Sequence, residues 1–186
     1  MTTSEDRNRL IEIIKARTFQ TGSEMKLASG RTSAFYFNMK PTMLHPEGAF
    51  LIGSLVIDHL RGQEIDMIGG LEMGAVPLAT SVAAVSHSRG TPIGAFFVRK
   101  QAKEHGTQSL IEGLPNGETI AGKRVVVIED VTTTGGSALK AVTQIRDAGG
   151  EVVCVLTVVD RMEGAQTAFA EAGVPFSALL SLDDFR

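Results

Sequence analysis

The stretch that most constrains the fold is residues 125–137, which combines a strand pattern, two carboxylates and a turn leading into a helix. Val125 to Ile128 is a continuous run of β-branched apolar residues, which favours a strand buried on both faces of a parallel sheet. Glu129 and Asp130 follow, and a helical pattern begins at about Ser137. Because ligands of open α/β sheets gather at the carboxyl ends of strands, this stretch predicts a binding site.

The composition of the turn indicates what this site binds. A turn rich in hydroxyls and glycines at a helix N-terminus presents free backbone N–H groups, which suit a phosphate. An acidic pair beside the turn would repel that anion unless it bound something else, and ribose hydroxyls or a metal ion are the natural candidates. The ligand is therefore predicted to be a phosphorylated sugar. The alternative is an ordinary strand-to-helix junction, but adjacent acids followed by Thr132–Ser137 favour the functional interpretation.

The remaining pattern predicts one α/β domain spanning residues 1–186, a length sufficient for a full core. From residue 47 onward, strand and helix patterns alternate, which predicts about five mostly parallel strands with helices on both faces. Residues 1–45 stand apart from this alternation and are expected to form a small cap, or hood, over the ligand end. Within that segment, residues 21–30 are expected to be loop and turn. Residues 99–118 are polar and without a period, which predicts a long, flexible functional loop.

Composition excludes several classes of function. The net charge of −3 gives no indication of binding to nucleic acid or to an anionic membrane. No apolar run is long enough to span a bilayer, and the polar N-terminus does not resemble a signal peptide. The single cysteine, Cys154, lies in an apolar run, so we expect a buried residue and a reducing, cytoplasmic location.

A second group of residues, at 99–106, concentrates positive charge. Four potential cations lie within seven residues, and they are Arg99, Lys100, Lys103 and His105. Such a group would neutralise a diphosphate leaving group, and a mobile loop could close over the substrate. A solvated basic loop is the alternative.

A third motif, Asp160-Arg161-Met162-Glu163-Gly164, follows an apolar strand pattern. Its arginine should lie at the same sheet edge as Glu129 and Asp130. A planar guanidinium recognises a carboxylate through two parallel hydrogen bonds. A surface ion pair of Arg161 with Asp160 or Glu163 is the alternative.

Together these motifs resemble a known family. Residues 125–137 resemble the phosphoribosyl-diphosphate (PRPP) signature of type I phosphoribosyltransferases, and Arg99–Gly106 closely resembles the catalytic loop of orotate phosphoribosyltransferases. The segment Gly22–Ser33 is similar to the family's pattern of a lysine before a Ser-Gly-Arg turn, and Arg161 has a similar Asp-Arg-x-Glu-Gly setting.

The resemblance implies transfer of the 5-phosphoribosyl group from PRPP to orotate in pyrimidine biosynthesis, by a homodimer with shared active sites. Arg99, Lys103 and His105 would then act across the dimer interface, with Lys100 in its own subunit's site. Mg²⁺ would be held by PRPP near Glu129 and Asp130, without direct protein ligands. Catalysis is assigned to Arg99, Lys103, His105 and Asp130. The implied PRPP-binding residues are Lys26, Arg99, Lys100, Lys103, His105, Glu129, Asp130, Val131, Thr132, Thr133, Thr134, Gly135, Gly136 and Ser137. The implied orotate-binding residues are Lys26, Phe35, Tyr36, Thr133 and Arg161.

The sequence departs from the family at two places. In several orotate enzymes Tyr-Lys stands where Glu72-Met73 stands, so the turn after Gly69-Gly70 lacks one possible cation for diphosphate, although its backbone N–H groups remain. Many relatives have Asp at the position of Glu129. Phe35 and Tyr36 alternate along an extended segment, so one of them is equally well explained as a core residue. The alternative functions are a purine phosphoribosyltransferase and a non-catalytic nucleotide-sensing regulator of the same fold.

Overall fold

A computed structural model describes residues 3–26, 32–101 and 110–186 of the chain, with the side chains of residues 3, 21–26 and 32–34 left out. Lys103 and His105 lie outside the described residues, and so does the side chain of Lys26. Among the described helices, none is both long and apolar enough to cross a membrane.

The centre of the fold is a six-stranded sheet with the order β5-β4-β3-β6-β7-β8. Five of its strands are parallel, and the two-residue β5 pairs antiparallel with β4 at one edge. The predicted mostly parallel sheet is therefore confirmed, with one additional short edge strand in the region predicted to be a loop. The strands are β3 (Met67–Leu71), β4 (Gly94–Val98), β5 (Ile111–Glu112), β6 (Arg124–Thr132), β7 (Glu151–Asp160) and β8 (Phe176–Ser181).

Helices cover both faces of this sheet, and alternate residues of β6 point to opposite faces. Val126 and Ile128 join one core cluster, and Val125 and Val127 join the other. All four side chains are at most 1% exposed, so the predicted burial on both faces is confirmed. The first cluster contains residues of α1 (Thr3–Arg17), α3 (Pro46–His59) and α4 (Ala75–Ser88), and the second contains residues of α5 (Gly136–Asp147) and α6 (Ala165–Glu171).

The chain order creates a crevice between two central strands. From β3 the chain moves to β4 on one side, and β6 then lies on the other side of β3. The connections after β3 and after β6 therefore leave in opposite directions, and ligands of open α/β sheets bind at such a switch point.

The N-terminal segment corrects one prediction. The expected loop and turn over residues 21–30 is wrong in its first half, because β1 (Phe19–Lys26) pairs antiparallel with β2 (Thr32–Phe37) in a separate two-stranded sheet. The polar sequence of β1 has little intrinsic strand preference, so its pairing with β2 decides its conformation. The predicted break at Pro41 is confirmed, since Pro41 lies in the first turn of the short helix α2 (Lys40–Met43).

Aromatic side chains join the hairpin to the end of the chain. Phe185, in the C-terminal 3₁₀ helix Leu182–Phe185, lies 5.4 Å from Phe19 and 5.1 Å from Phe37 between ring centroids. Cys154 is 8% exposed, as expected for a buried cysteine, and burial raises the pKa of its thiol to about 11.

Candidate active site

The acidic pair lies inside β6 rather than beyond it, because the strand continues to Thr132. The pairing of β6 with β7 brings Glu129 beside Thr157 and Thr132 beside Asp160. Successive residues of a strand point to opposite faces, so the two carboxylates leave the strand on opposite sides of its carboxyl end. Both nevertheless line one cleft.

Glu129 lies in an environment that favours its neutral form. Burial raises the pKa of its carboxyl to about 7, and the neighbouring charge of Asp130 acts in the same direction. The Thr132 hydroxyl opposes this effect by donating a hydrogen bond to Glu129 Oε2 at 2.8 Å. Glu129 therefore titrates near neutral pH in the free protein.

Asp130 lies against the N-terminal end of α4. A Cβ atom at Gly74 would be only 2.8 Å from Asp130 Oδ1, so the absence of a side chain at Gly74 permits this approach. Burial raises the pKa of Asp130, while the backbone N–H groups of Val131 and Asp130 and the charge of Lys40 lower it. The carboxylate is thus held at the crevice between β3 and β6.

The turn after β6 leads directly into α5. Thr132 is 1% exposed, with its hydroxyl turned back towards Glu129, whereas Thr134, Gly136 and Ser137 are exposed. Gly135 has φ +84°, and a Cβ atom there would lie 2.8 Å from Phe169, so only glycine fits without strain. The exposed part of the turn therefore meets solvent at the start of a helix whose first N–H groups are free of helical bonds.

A cleft of about 360 Å³ connects these groups with the turn that follows β3. Its lining combines three carboxylates with two ammonium groups, and its residues are Lys40, Leu71, Glu72, Met73, Gly74, Ala75, Lys100, Ile128, Glu129, Asp130, Ser137 and Ala138. A second cleft of about 460 Å³ shares Leu71, Lys100 and Ser137 with the first, and Arg99 and Lys140 also line it.

A larger cavity of about 530 Å³ lies at the opposite end of the strands, among residues that precede β3 and β4. Its two arginines, Arg61 and Arg89, both pair with Asp58, at 2.7 and 3.0 Å. This cavity is far from the acidic pair, and its arginines are already matched by a carboxylate. We therefore assign the site to the crevice at the carboxyl ends of the strands.

Arg161 lies where its sequence position predicted, at the end of β7. Its backbone N–H donates to Thr132 O at 2.9 Å, so it is next to the start of the turn that contains Thr133. The side chain is 4% exposed, and its guanidinium pairs with Glu163 at 2.7 Å. The Asp160 carboxylate instead accepts a hydrogen bond from the Met162 N–H at 2.8 Å, which closes the turn.

The two aromatic residues of β2 have different environments. Phe35 stacks on Phe19 with ring centroids 5.8 Å apart, and the guanidinium of Arg186 lies 5.6 Å from its ring. Tyr36 is 40% exposed. The alternation anticipated along this strand is confirmed, with one aromatic residue in the hairpin core and one on the surface.

Comparison with known proteins agrees with this geometry. A profile of the Phosphoribosyl transferase domain family matches residues 43–169. The orotate phosphoribosyltransferase of Bradyrhizobium diazoefficiens is 59% identical over 185 residues, covering 100% of this chain and 98% of the relative.

Solved structures agree as well. The orotate phosphoribosyltransferase of Mycobacterium tuberculosis in complex with Fe(III) dicitrate has a TM-score of 0.83 at 42% identity, covering 96% of this chain and 98% of that chain. The same enzyme in complex with PRPP has a TM-score of 0.78 at 38% identity, with the same coverage. The chain belongs to the orotate phosphoribosyltransferase family.

The family resemblance seen in the sequence is therefore confirmed. Of the residues assigned to the site, the structure brings Lys100, Glu129, Asp130 and Ser137 into one cleft, with Arg99 in the adjoining one. Arg161 lies at the same sheet edge but in neither lining.

Two cations of the clefts were missed by sequence reasoning. Lys40 follows the aromatic strand without any charged neighbour that would mark it as a site residue. Lys140 lies three residues after Ser137 on α5, so it is on the same helix face, and helical spacing could have identified it. Glu72 was noted only as a departure from the family, although it too lines the first cleft.

Proposed function

We propose that this chain transfers the 5-phosphoribosyl group from PRPP to orotate, giving orotidine 5′-monophosphate and diphosphate. The observation that carries the proposal is the 59% identity to an orotate phosphoribosyltransferase over 185 residues. The match covers 100% of this chain, so it spans the acidic pair and the turn that follows it. The reaction is a pentosyl transfer and belongs to pyrimidine biosynthesis.

The geometry suggests how PRPP would lie in the crevice. The turn from Thr132 to Ser137 would bind the 5′-phosphate, chiefly through its exposed part and the first N–H groups of α5. Thr132 would contribute its backbone, because its hydroxyl is buried against Glu129. Glu129 and Asp130 would accept hydrogen bonds from the ribose hydroxyls. This orientation directs the diphosphate towards the turn after β3 and towards Lys100.

The chemistry requires charge stabilisation rather than a protein nucleophile. The bond between ribose C1 and the diphosphate oxygen breaks, and positive charge develops on the ribose ring. A ring nitrogen of orotate forms the new bond to C1 and loses its proton, which the departing diphosphate can accept. The protein would position both substrates and stabilise these charges. Arg99, Lys103 and His105 would neutralise the departing diphosphate, and Asp130 would face the developing positive charge.

Orotate recognition is assigned to Arg161 and Thr133, with Lys26, Phe35 and Tyr36 as the remaining predicted contacts. Arg161 would exchange its pairing with Glu163 for the orotate carboxylate, or share its guanidinium between the two. Tyr36 suits a stacking role better than Phe35, because the Phe35 ring already packs on Phe19.

The cleft also suits magnesium bound with the substrate. Mg²⁺ is usually held by one or two carboxylates together with substrate phosphates. Within the described residues, no group of three or more His, Cys, Asp or Glu side chains could hold a metal ion alone. Glu129 and Asp130 would hold the ion from the protein side through ribose oxygens or water, and the ion would supply positive charge to the diphosphate.

A homodimer with shared active sites is part of the proposal. Two large apolar side chains, Leu44 and Phe50, are 73% and 55% exposed near the start of α3, and they would suit a subunit interface. Light scattering coupled to size exclusion should give a dimer, and Phe50→Asp should shift it towards the monomer.

Four further features stay predictions. They are the hood at residues 1–45, the catalytic loop at residues 99–118, the single domain of residues 1–186 and the cytoplasmic location.

The assay follows the loss of orotate absorbance with PRPP and Mg²⁺, with adenine, hypoxanthine and uracil as competing bases. We expect consumption of orotate alone. Turnover of a purine would instead favour a purine phosphoribosyltransferase, and PRPP binding without any turnover would favour a non-catalytic regulator. Lys103→Ala should lower turnover far more than it weakens orotate binding, and an unchanged turnover number would remove Lys103 from this role.

A further inference from the structure

The turn after β3 contains a carboxylate in an unexpected position. Glu72 lines the cleft that is assigned to the diphosphate, together with Glu129 and Asp130. A third carboxylate there would repel the ligand, since only Lys40 and Lys100 carry positive charge in that lining. A specific structural role for Glu72 would account for its presence.

Hydrogen bonds join Glu72 to the chain segment at the end of β4. Its backbone N–H donates to Val98 O at 2.8 Å, and its side-chain Oε1 accepts from the Lys100 N–H at 2.9 Å. The ladder between β3 and β4 ends at the pair Leu71 and Val98, after which the chain turns into α4. The Glu72 side chain therefore continues the pairing beyond the point where the β3 backbone leaves the sheet.

The other side of the same segment is held by β5. The pairs Phe97 with Glu112 and Val98 with Ile111 form the antiparallel ladder, and the Arg99 N–H donates to Leu110 O at 2.8 Å. The backbone N–H groups of Arg99 and Lys100 are therefore held from opposite sides. Leu110 accepts the hydrogen bond of the first, and Glu72 accepts that of the second. Lys100 lines both clefts, so its backbone position decides where its ammonium group can reach.

We propose that Glu72 is a positioning residue, whose carboxylate holds the Lys100 backbone and thereby places the Lys100 ammonium at the diphosphate end of PRPP. This proposal rests on the proposed function. The turn after β3 would then contribute to diphosphate binding through Glu72 and Lys100, without the cation that some relatives have at the position of Met73.

The test compares two variants that lose the same charge. Glu72→Gln keeps an acceptor oxygen for the Lys100 N–H, whereas Glu72→Met has similar length and no such acceptor. Loss of the charge alone should not weaken PRPP binding, so we expect the KM for PRPP of Glu72→Gln to be equal to or below that of the parent. The KM of Glu72→Met should be on the order of tenfold above that of Glu72→Gln, as for the loss of one hydrogen bond. The kcat and the KM for orotate should change by less than about twofold, because Glu72 would act on PRPP binding alone. Equal KM values for the two variants would overturn the proposal.

A second comparison asks whether Glu72 acts through Lys100. In a Lys100→Ala background, the difference between Glu72→Gln and Glu72→Met should disappear, since the group being positioned is gone. A difference that persists in full would refute the coupling. If Glu72→Met lowers the unfolding midpoint, Glu72→Ala provides a second variant without the acceptor.

Failure of this inference can be distinguished from failure of the proposed function. The parent protein is assayed first for orotate turnover, and its absence would reject the function. The variants are then compared by calorimetric PRPP binding in the presence of Mg²⁺. Equal affinities of Glu72→Gln and Glu72→Met in that measurement would reject the role of Glu72 whether or not turnover occurs.

Discussion

Glu129 is expected to reduce the stability of the free protein at neutral and alkaline pH. Its carboxyl has a pKa of about 7 in the folded chain against an ordinary value of 4.5. Well below pH 4.5 the group is protonated in both the folded and the unfolded state, so it has no effect. As the pH rises from 4.5 to about 7, the unfolded state ionises first and stability falls.

The size of this effect follows from the difference between the two pKa values. A difference of about 2.5 corresponds to about 3 kcal/mol, which is an upper limit because the side chain is partly exposed. Glu129→Gln keeps the shape and an acceptor oxygen for Thr132 but stays neutral. The variant should therefore be more stable than the parent by up to about 3 kcal/mol at pH 8, and by less than about 0.5 kcal/mol at pH 4.5.

Urea unfolding without ligand, at pH 4.5 and at pH 8, measures both differences. Glu171→Gln, at an exposed glutamate that ends α6, is the control and should change neither value. A Glu129→Gln variant with the same stability difference at both pH values would refute the reasoning.

The same variant should bind PRPP about 10- to 100-fold more weakly, because a charged acceptor for a ribose hydroxyl is lost. In the parent, kcat/KM for PRPP should rise with pH up to about 7, and the variant should lack this dependence.

Three further predictions concern neighbouring residues. In urea unfolding, Gly135→Ala should lower the free energy of unfolding by about 2–4 kcal/mol, because φ is +84° and the methyl group would meet Phe169. The control Gly117→Ala, with φ +83° and open space, should lower it by only about 1 kcal/mol. Arg161→Lys should raise the KM for orotate about tenfold or more and leave the KM for PRPP unchanged in steady-state kinetics, since an ammonium cannot form the two parallel bonds of a guanidinium; a matching rise in both KM values would contradict this role. Lys40→Ala should weaken PRPP binding in calorimetry by about 3- to 30-fold at low salt, and less at high salt, because it removes one of the two ammonium groups in the cleft lining; an affinity change that does not depend on salt would argue against an electrostatic role.

Local sequence was sufficient to predict the central sheet and the acidic strand end. The run Val125 to Ile128 is apolar on both faces, and only a strand between two helical layers can bury such a run completely. The hydroxyls and glycines that follow have few roles other than a turn at a helix start. These features depend on residues adjacent in the chain, so they are readable without knowledge of the fold.

Other features depend on which segments meet in space. The polar residues of β1 form a strand because β2 lies beside them. The strand β6 extends to Thr132, beyond the predicted end at Ile128, because β7 continues alongside it. Glu72 is 28 residues from Lys100, and their hydrogen bond exists only because β3 and β4 are neighbours. Lys40 likewise reaches the acidic pair across the fold.

The sequence by itself therefore determined the layered α/β architecture, the presence of the acids near the carboxyl end of a central strand and the class of ligand, because each follows from local periodicity or from groups that are consecutive in the chain. The tertiary structure decided the protonation behaviour of Glu129, the partners of Glu72 and the cations that share the cleft. Those properties arise from burial and from contacts between distant segments, which are set only when the strands pair and the helices cover them.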